Sequence, residues 1–178
     1  MPQPITNSNA KQNVDLFVTL KTDRAGVIQG EASEERHKGE IQINGFSWGM
    51  SSASEISSGQ ASGRRQHKPL RLYKNIDGAT APLASALATN QVVKELTLTA
   101  RKAAGVAALP YLVIKLANGR VTRLDLEFPD PDPNATSPTG REVVEIVYQK
   151  IEISYTPQTN AAPGGATKTF VDDWYTPS

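Results

Sequence analysis

The sequence predicts a mainly β domain: a small antiparallel barrel, closed or nearly so, or a sandwich, with one short α-helix and one long extended loop. Three observations predict it. Short segments alternate apolar and polar residues with a period of two, as half-buried strands do. Only one stretch, around residues 82–89, carries apolar residues at helical spacing. Glycine, proline and asparagine punctuate the rest at short intervals, as expected for many strands joined by turns. Closure would remove the strand edges that such a chain otherwise exposes.

The elements follow in order. Residues 1–13 are polar and are expected to be mobile. The first strand sets Val14, Leu16, Val18 and Leu20 on one face and Asp15, Phe17, Thr19 and Lys21 on the other. Arg24 to Lys38 is a charged connection holding a short strand at Val27-Ile28. Ile41 and Ile43 share a face, but Phe46 and Trp48 have the opposite parity. A β-bulge at Asn44-Gly45 would restore one apolar face; otherwise this strand is buried on both sides. Residues 51–69 hold six serines, two glycines and the basic run Arg64-Arg65-Gln66-His67-Lys68. They show no buried pattern, and a loop of that length in a compact domain is functional or disordered. A strand resumes at Leu70-Arg71-Leu72-Tyr73.

In the helix, Thr80 is the expected cap, Pro82 lies in the first turn and Asn90 is the stop. Leu83, Ala86 and Leu87 form a narrow apolar stripe. The helix is barely two turns long, so packing rather than propensity must hold it. Beyond it, Glu95 to Ala100 alternates and Tyr111 to Leu116 is richly apolar. Asn118-Gly119 carries the signature of a two-residue hairpin turn. That turn would send Arg120 to Phe128 back antiparallel, with Leu124, Leu126 and Phe128 on one face. The proline-rich run 129–134 cannot continue a ladder. Val143 to Tyr155 is the longest strand candidate, with Val147, Ile151, Ile153 and Tyr155 on one face and Gln149 interrupting it. Residues 159–169 are expected to be flexible, with Phe170-Val171 and Trp174-Tyr175 as a last short strand.

Composition narrows the function. The 178 residues suit a single domain, residues 1–178. A net charge of +1, from 19 basic and 18 acidic side chains, gives no electrostatic reason to expect nucleic acid or anionic lipid as a partner. The absence of cysteine removes disulfide and thiolate chemistry. No run approaches the roughly 18–20 apolar residues of a membrane helix. The first residues lack the basic and apolar regions of a secretory leader, so folding in the cytoplasm and exit by another route are expected.

No catalytic constellation emerges. There are two histidines. His37 has only Glu35 beside it as a second metal donor, short of what zinc needs, and reads as a turn residue bonded to backbone. His67 lies in the basic run and reads as solvated. No Gly-x-Ser-x-Gly elbow presents a serine, and Gly59-x-x-x-Gly63 lacks the ending of a phosphate loop. Asp130 and Asp132 alternate with prolines rather than with calcium ligands. Asp172-Asp173 reads as surface, and Asn134-Ala135-Thr136 matches a glycosylation sequon that means little without a secretion signal. No catalytic residue, metal or cofactor is therefore assigned, and an enzyme is not expected.

One resemblance unites these features. Asp15-Leu16-Phe17, Ile28-x-Gly30-Glu31, His37-Lys38-Gly39-Glu40-Ile41-x-Ile43 and Phe46-Ser47-Trp48-Gly49 occur in that order. They are followed by Tyr73-Lys74-x-x-Asp77, Ala81-Pro82-Leu83, Leu96-x-Leu98-x-x-Arg101-Lys102-Ala103 and Tyr111-Leu112-x-Ile114-x-Leu116. Tyr148-x-Lys150-Ile151-Glu152-Ile153-x-Tyr155-Thr156-Pro157-Gln158 closes the series. In order and spacing, over residues 14–158, the chain resembles the haemolysin-coregulated protein (Hcp) family, the tube subunit of bacterial type VI secretion systems. The resemblance implies a small β-barrel with one flanking helix, a homo-hexameric ring, and rings stacked into a tube. A contractile sheath drives such a tube, with a spike protein at its tip, and effector proteins ride in the lumen. It also implies secretion through that apparatus without a signal peptide.

Candidate contact residues follow. Ser47, between two aromatics that enter the core, should point away from it, and by resemblance that outward face lines the lumen. Gln42 and Asn44 join it subject to the parity change. By the same resemblance the 51–69 loop makes ring contacts, with Ser51, Ser58, Arg64, Arg65, His67 and Lys68 as candidates. The bland reading of Ser47 is a strand residue on a wet face. Two alternatives to the tube subunit stand beside it: a tail-tube protein of a phage-like contractile particle, and a monomeric ligand-binding β-barrel with a lined internal cavity, which 6% aromatic residues do little to furnish.

Overall fold

The computed structural model describes residues 14–54, 61–102, 110–129, 140–157 and 165–173. The strands are β1 (Val14–Thr22), β2 (Gly26–Ile28), β3 (Ile41–Ile43), β4 (Gly45–Ser47), β5 (Met50–Ser54), β6 (Ala61–His67) and β7 (Leu70–Asn75). After helix α1 (Thr80–Ala88) come β8 (Val93–Lys102), β9 (Pro110–Glu127), β10 (Arg141–Val147), β11 (Lys150–Tyr155) and β12 (Lys168–Asp173). The pairings among them are antiparallel. The expected mainly β fold with one short helix is the observed one.

The hydrogen-bonded path returns on itself. β1 pairs β8, β8 pairs the first half of β9, the second half of β9 pairs β10, and β10 pairs β7. The bent segment 41–47 completes the circuit: β3 pairs β1 through Leu16↔Ile43 and Val18↔Ile41, and β4 pairs β7 through Gly45↔Tyr73 and Ser47↔Arg71. At the bend, the Asn44 N–H donates to the Tyr73 carbonyl at 2.7 Å. β11 runs along the first half of β9, on the side away from β8, and β12 lies against β11. Inward-facing Leu, Ile and Val from the barrel strands form one buried cluster, which Leu83 and Ala86 of α1 join. Each such side chain contributes roughly 1.5–3 kcal/mol through burial.

Three segments change parity along their length. In 41–48 the inward residues are Ile41 and Ile43, then Phe46 and Trp48, so the break at Asn44 performs the bulge-like correction that the sequence called for. In β9 they are Ile114 and Leu116, then Gly119 and Val121, and after a further register shift Leu124. In 141–155 they are Val144 and Ile146, then Ile151 and Ile153. The last two cases correct the sequence reading. Asn118-Gly119 does not reverse the chain. A two-residue turn of the predicted kind needs positive φ at both central residues, and only Asn118 has it, at 53°. One left-handed residue gives a bulge, and β9 continues straight through. Gly119 is required there for another reason: a Cβ would stand 2.5 Å from the Val147 carbonyl oxygen. Likewise 143–155 is not one strand. It breaks at Tyr148-Gln149, which leaves Val147 outside rather than beside Ile151.

Other expectations also shift. Residues 51–69 are not an irregular loop: β5 and β6 pair as a separate two-stranded sheet. Leu124 packs on the core, while Leu126 and Phe128 are exposed. β12 begins at Lys168, inside the stretch expected to be flexible. Residues 1–13, Asp130, Asp132, the 134–136 sequon and Trp174-Tyr175 lie outside the described residues.

Thr80 does not cap α1; it is the first helical residue, and the N-cap position falls on Ala79. Its hydroxyl instead donates to Glu142 at 2.5 Å. Glu142 and Lys74 are cross-strand partners that both point inward, fully buried, with Nζ 2.7 Å from the carboxylate. Lys74 also reaches Asp77 at 2.7 Å, in the turn that starts the helix. This ionic cluster ties a nine-residue helix, too short to stand alone, to the barrel wall. Asn90, at φ 50°, ends the helix as expected.

Removing one partner of a buried pair strands the other charge. Lys74→Met is expected to lower stability by about 3–5 kcal/mol in urea unfolding. Lys74→Met combined with Glu142→Leu should recover most of that loss. A double variant as unstable as the single one would assign the damage to packing instead.

Candidate functional site

Two surface features stand out from the barrel, and they meet at the root of the hairpin. The first is the outward face of β4, β7, β10 and β9. Register places Ser47, Arg71, Glu145 and Arg123 in one row across the four strands. Arg71 donates to Glu145 through Nε at 2.8 Å and again through a terminal nitrogen, and Arg123 approaches the same oxygen at 3.9 Å. Neighbouring pairs are Arg123 with Asp125 at 2.5 Å and Arg141 with Glu127 at 2.6 Å. Ser47 Oγ lies 3.4 Å from the Tyr73 hydroxyl. Hydrogen bonds from Ser47, and then from Arg71, draw the Tyr73 phenol below its usual pKa. The wall is polar and carries alternating charge.

The second feature is the anchoring of the β5–β6 hairpin. A two-stranded hairpin is marginal alone, and side chains from distant elements hold this one. The His67 side chain is 1% exposed. One ring nitrogen lies 3.0 Å from the Tyr148 hydroxyl and the other 2.6 Å from Asp172. The Trp48 indole N–H donates to the same Tyr148 hydroxyl. Arg65 forks onto Asp172 at 2.5 and 2.7 Å. Strand β12 thus straps the hairpin to the barrel. Arg65, with His67 behind it, holds the Asp172 carboxyl below its ordinary pKa, and burial pushes the Tyr148 phenol up. Asp172, His67 and Tyr148 form a hydrogen-bonded chain that ties the hairpin root to β12 and to the junction of β10 and β11.

The sequence-derived candidates fall as follows. Gln42, Asn44 and Ser47 are all exposed, on the outward side of the bent strand. Gln42 sits opposite Phe17, and the Asn44 amide donates to Asn75 at 2.8 Å. Ser51 is exposed opposite Gln66 on β6, Arg64 lies on β6, and Ser58 is outside the described residues. Arg65 is half exposed and ion-paired. His67 corrects the expectation of a solvated ring, and Asp172 the expectation of a simple surface acid. Lys68, exposed, lines with Ser47, Trp48, Pro69, Arg71 and Glu145 an open groove of ≈ 390 Å³. Two candidates from separate predictions, Ser47 and Lys68, therefore share one site. Arg71, Tyr73, Glu145 and Asp172 were missed. Period-two alternation in Leu70–Asn75 marks Arg71 and Tyr73 as one face; no local signal links Asp172 to the hairpin.

His37 also differs from expectation. It stacks on Phe17 with ring centroids 4.2 Å apart and its Nδ1 lies 3.0 Å from Glu40; the Arg101 guanidinium lies 5.2 Å from the Phe17 ring centroid. No group of three metal-ligating side chains occurs among the described residues. No described helix is long and apolar enough to cross a membrane.

Comparison with known proteins gives a consistent answer. The family model described as "Type VI secretion system effector, Hcp" matches residues 17–155. The "Major exported protein" of Pseudomonas aeruginosa is 26% identical over 150 residues, 83% of each chain. A crystal structure of an Hcp protein superposes with a TM-score of 0.76 at 20% identity, over 92% of this chain and 99% of that one. Hcp1 from Salmonella typhimurium gives 0.69 at 24% identity, over 91% and 95%. At these identities the structural likenesses establish the fold.

The strap has a pH dependence of definite sign. The Asp172 carboxyl is held below its ordinary value of 3.8. Its contribution is therefore complete above that value and is lost as pH falls from there through the lowered one. Hydrogen exchange should show β12 and β6 amides protected at about pH 7 and released well below about pH 4. Asp172→Asn should release them already at neutral pH. Protection in Asp172→Asn equal to wild type would mean that backbone pairing alone holds the strap.

Proposed function

Because the chain belongs to the Hcp family of type VI secretion system effectors, we propose that it is a structural subunit of a type VI secretion inner tube. In this reading it forms a hexameric ring, rings stack into a tube, and effector proteins travel in the lumen. A sheath and a tip spike are its further partners, and it is itself exported. The Hcp family is one of structural secretion proteins rather than enzymes, and no catalytic role is assigned.

The observation that carries the proposal is the hairpin. β5 and β6 pair only with each other among the described residues, so both outer edges present unpaired backbone groups. Such edges invite pairing with another chain. Yet Trp48, Tyr148, His67, Arg65 and Asp172 fix the hairpin's root. A hairpin held at its root, whose described strands pair only with each other, suits contact with another copy. Ser51, Ser58, Arg64 and Arg65 are the proposed ring contacts, with His67 acting from beneath as an anchor; Lys68, at the hairpin root, falls instead on the groove it shares with Ser47. The polar wall supports a lumen role for Ser47, Asn44 and Gln42, since a channel for folded cargo needs a wetted, non-adhesive surface.

A phage-like tail tube would use the same architecture, and the genes neighbouring this one separate the two. The ligand-binding barrel loses ground, because side chains fill the barrel interior.

Replacing residues 52–65 with Asn-Gly keeps the Met50↔His67 and Ser51↔Gln66 pairs and removes the arm. Circular dichroism should show the barrel intact, and electron microscopy should show no stacked rings. Stacking equal to wild type would sink the arm's proposed role.

A further inference from the structure

We propose that the groove at the hairpin root binds a carboxylate-bearing side chain on an extended peptide, supplied by an acidic segment of a protein cargo. The inference rests on the tube reading and deepens it by naming what the cargo must present.

The chemistry of the groove points to that ligand. Glu145 is already neutralised, taking two bonds from Arg71 and facing Arg123 at 3.9 Å. The Lys68 ammonium makes no hydrogen bond or ion pair among the described residues. The groove therefore carries an uncompensated positive charge. Lys68 is also fixed at its base: its N–H donates to the Gly49 carbonyl at 2.8 Å, and its own carbonyl accepts from Tyr148 at 3.4 Å. Its stem passes over Gly49, close enough that a Cβ there would lie 3.4 Å from Cδ. The cation is thus carried on an ordered root rather than on a mobile loop.

The rest of the lining favours a short aliphatic stem behind the acid. The Trp48 indole N–H is taken by Tyr148, so this side chain brings no free donor to the groove. Pro69 has no N–H to offer. Ser47 adds one hydroxyl to the lining. A carboxylate on Lys68 and Ser47, with methylenes against Trp48 and Pro69, uses each of these groups. The volume of ≈ 390 Å³ is within the range of sites that take a few residues.

The test uses the full chain and two fluorescein-labelled glycine–serine octapeptides, one with a central Glu-Leu-Glu and one with Gln-Leu-Gln. Anisotropy at low salt should show the acidic peptide binding about fivefold more tightly, the upper end for an exposed ion pair. The advantage should shrink as salt is added. Lys68→Met and Ser47→Trp should abolish it, and Lys115→Met, on another face, should preserve it. Equal binding of the two peptides, or an advantage that survives Lys68→Met, overturns the proposal. Loss of the advantage to millimolar inorganic phosphate alone would reveal a general anion site and overturn the peptide assignment. Light scattering on the same samples keeps the two readings apart. Rings without acid preference would sink only the groove, and acid preference without rings would sink only the tube.

Discussion

Side chains on a strand alternate faces with a period of two, so a slip of one residue exchanges the wet and dry faces. The whole barrel depends on controlling that slip. Three segments are spliced from pieces of opposite parity, at Asn44, at Asn118 and again after Val121, and at Tyr148-Gln149. At Asn44 the chain also changes partner, from β1 to β7, which is how the circuit closes. Without the splice, Phe46 and Trp48 would face solvent and Ser47 would face the core. With it, apolar residues stay inside and Ser47 joins Arg71, Glu145 and Arg123 on one wetted wall. The splice at Tyr148 frees its phenol from the ladder to receive Trp48 and His67. Core, wall and hairpin anchor are consequences of the same local irregularities.

The two charged networks divide the work. Lys74, Glu142 and Asp77 are inside, where an unpaired charge is costly, and they secure the helix. Arg65, His67 and Asp172 are at the periphery and secure the arm. The outer network joins the last described strand to the sixth, so the position of the arm depends on the C-terminal strap. That coupling links the last described strand to the surface proposed to meet other copies.

Much of the fold is legible in the sequence where a strand keeps one parity. Leu16, Val18 and Leu20 give β1 directly, and Leu70 with Leu72 give β7. The parity change at Phe46 was legible too, because aromatic residues on the wrong face are conspicuous. The break in β9 was misread, since an Asn-Gly pair serves a tight turn and a bulge through the same left-handed preference of asparagine. The candidate site was half legible. Ser47 and Lys68 are each legible as contact candidates, but their meeting in one groove is not. Phe17 looked exposed by alternation; the His37 ring that covers it comes from a turn 20 residues away. The contact between His67 and Asp172 spans 105 residues, and nothing local in the basic run foretells a buried histidine.

The most direct measurement of the central claim, that this barrel works by assembling with copies of itself, is negative-stain electron microscopy of the purified protein combined with its mass by light scattering. The account predicts closed rings with a central hole and a mass near that of six chains. A compact monomer at every concentration reached would contradict it.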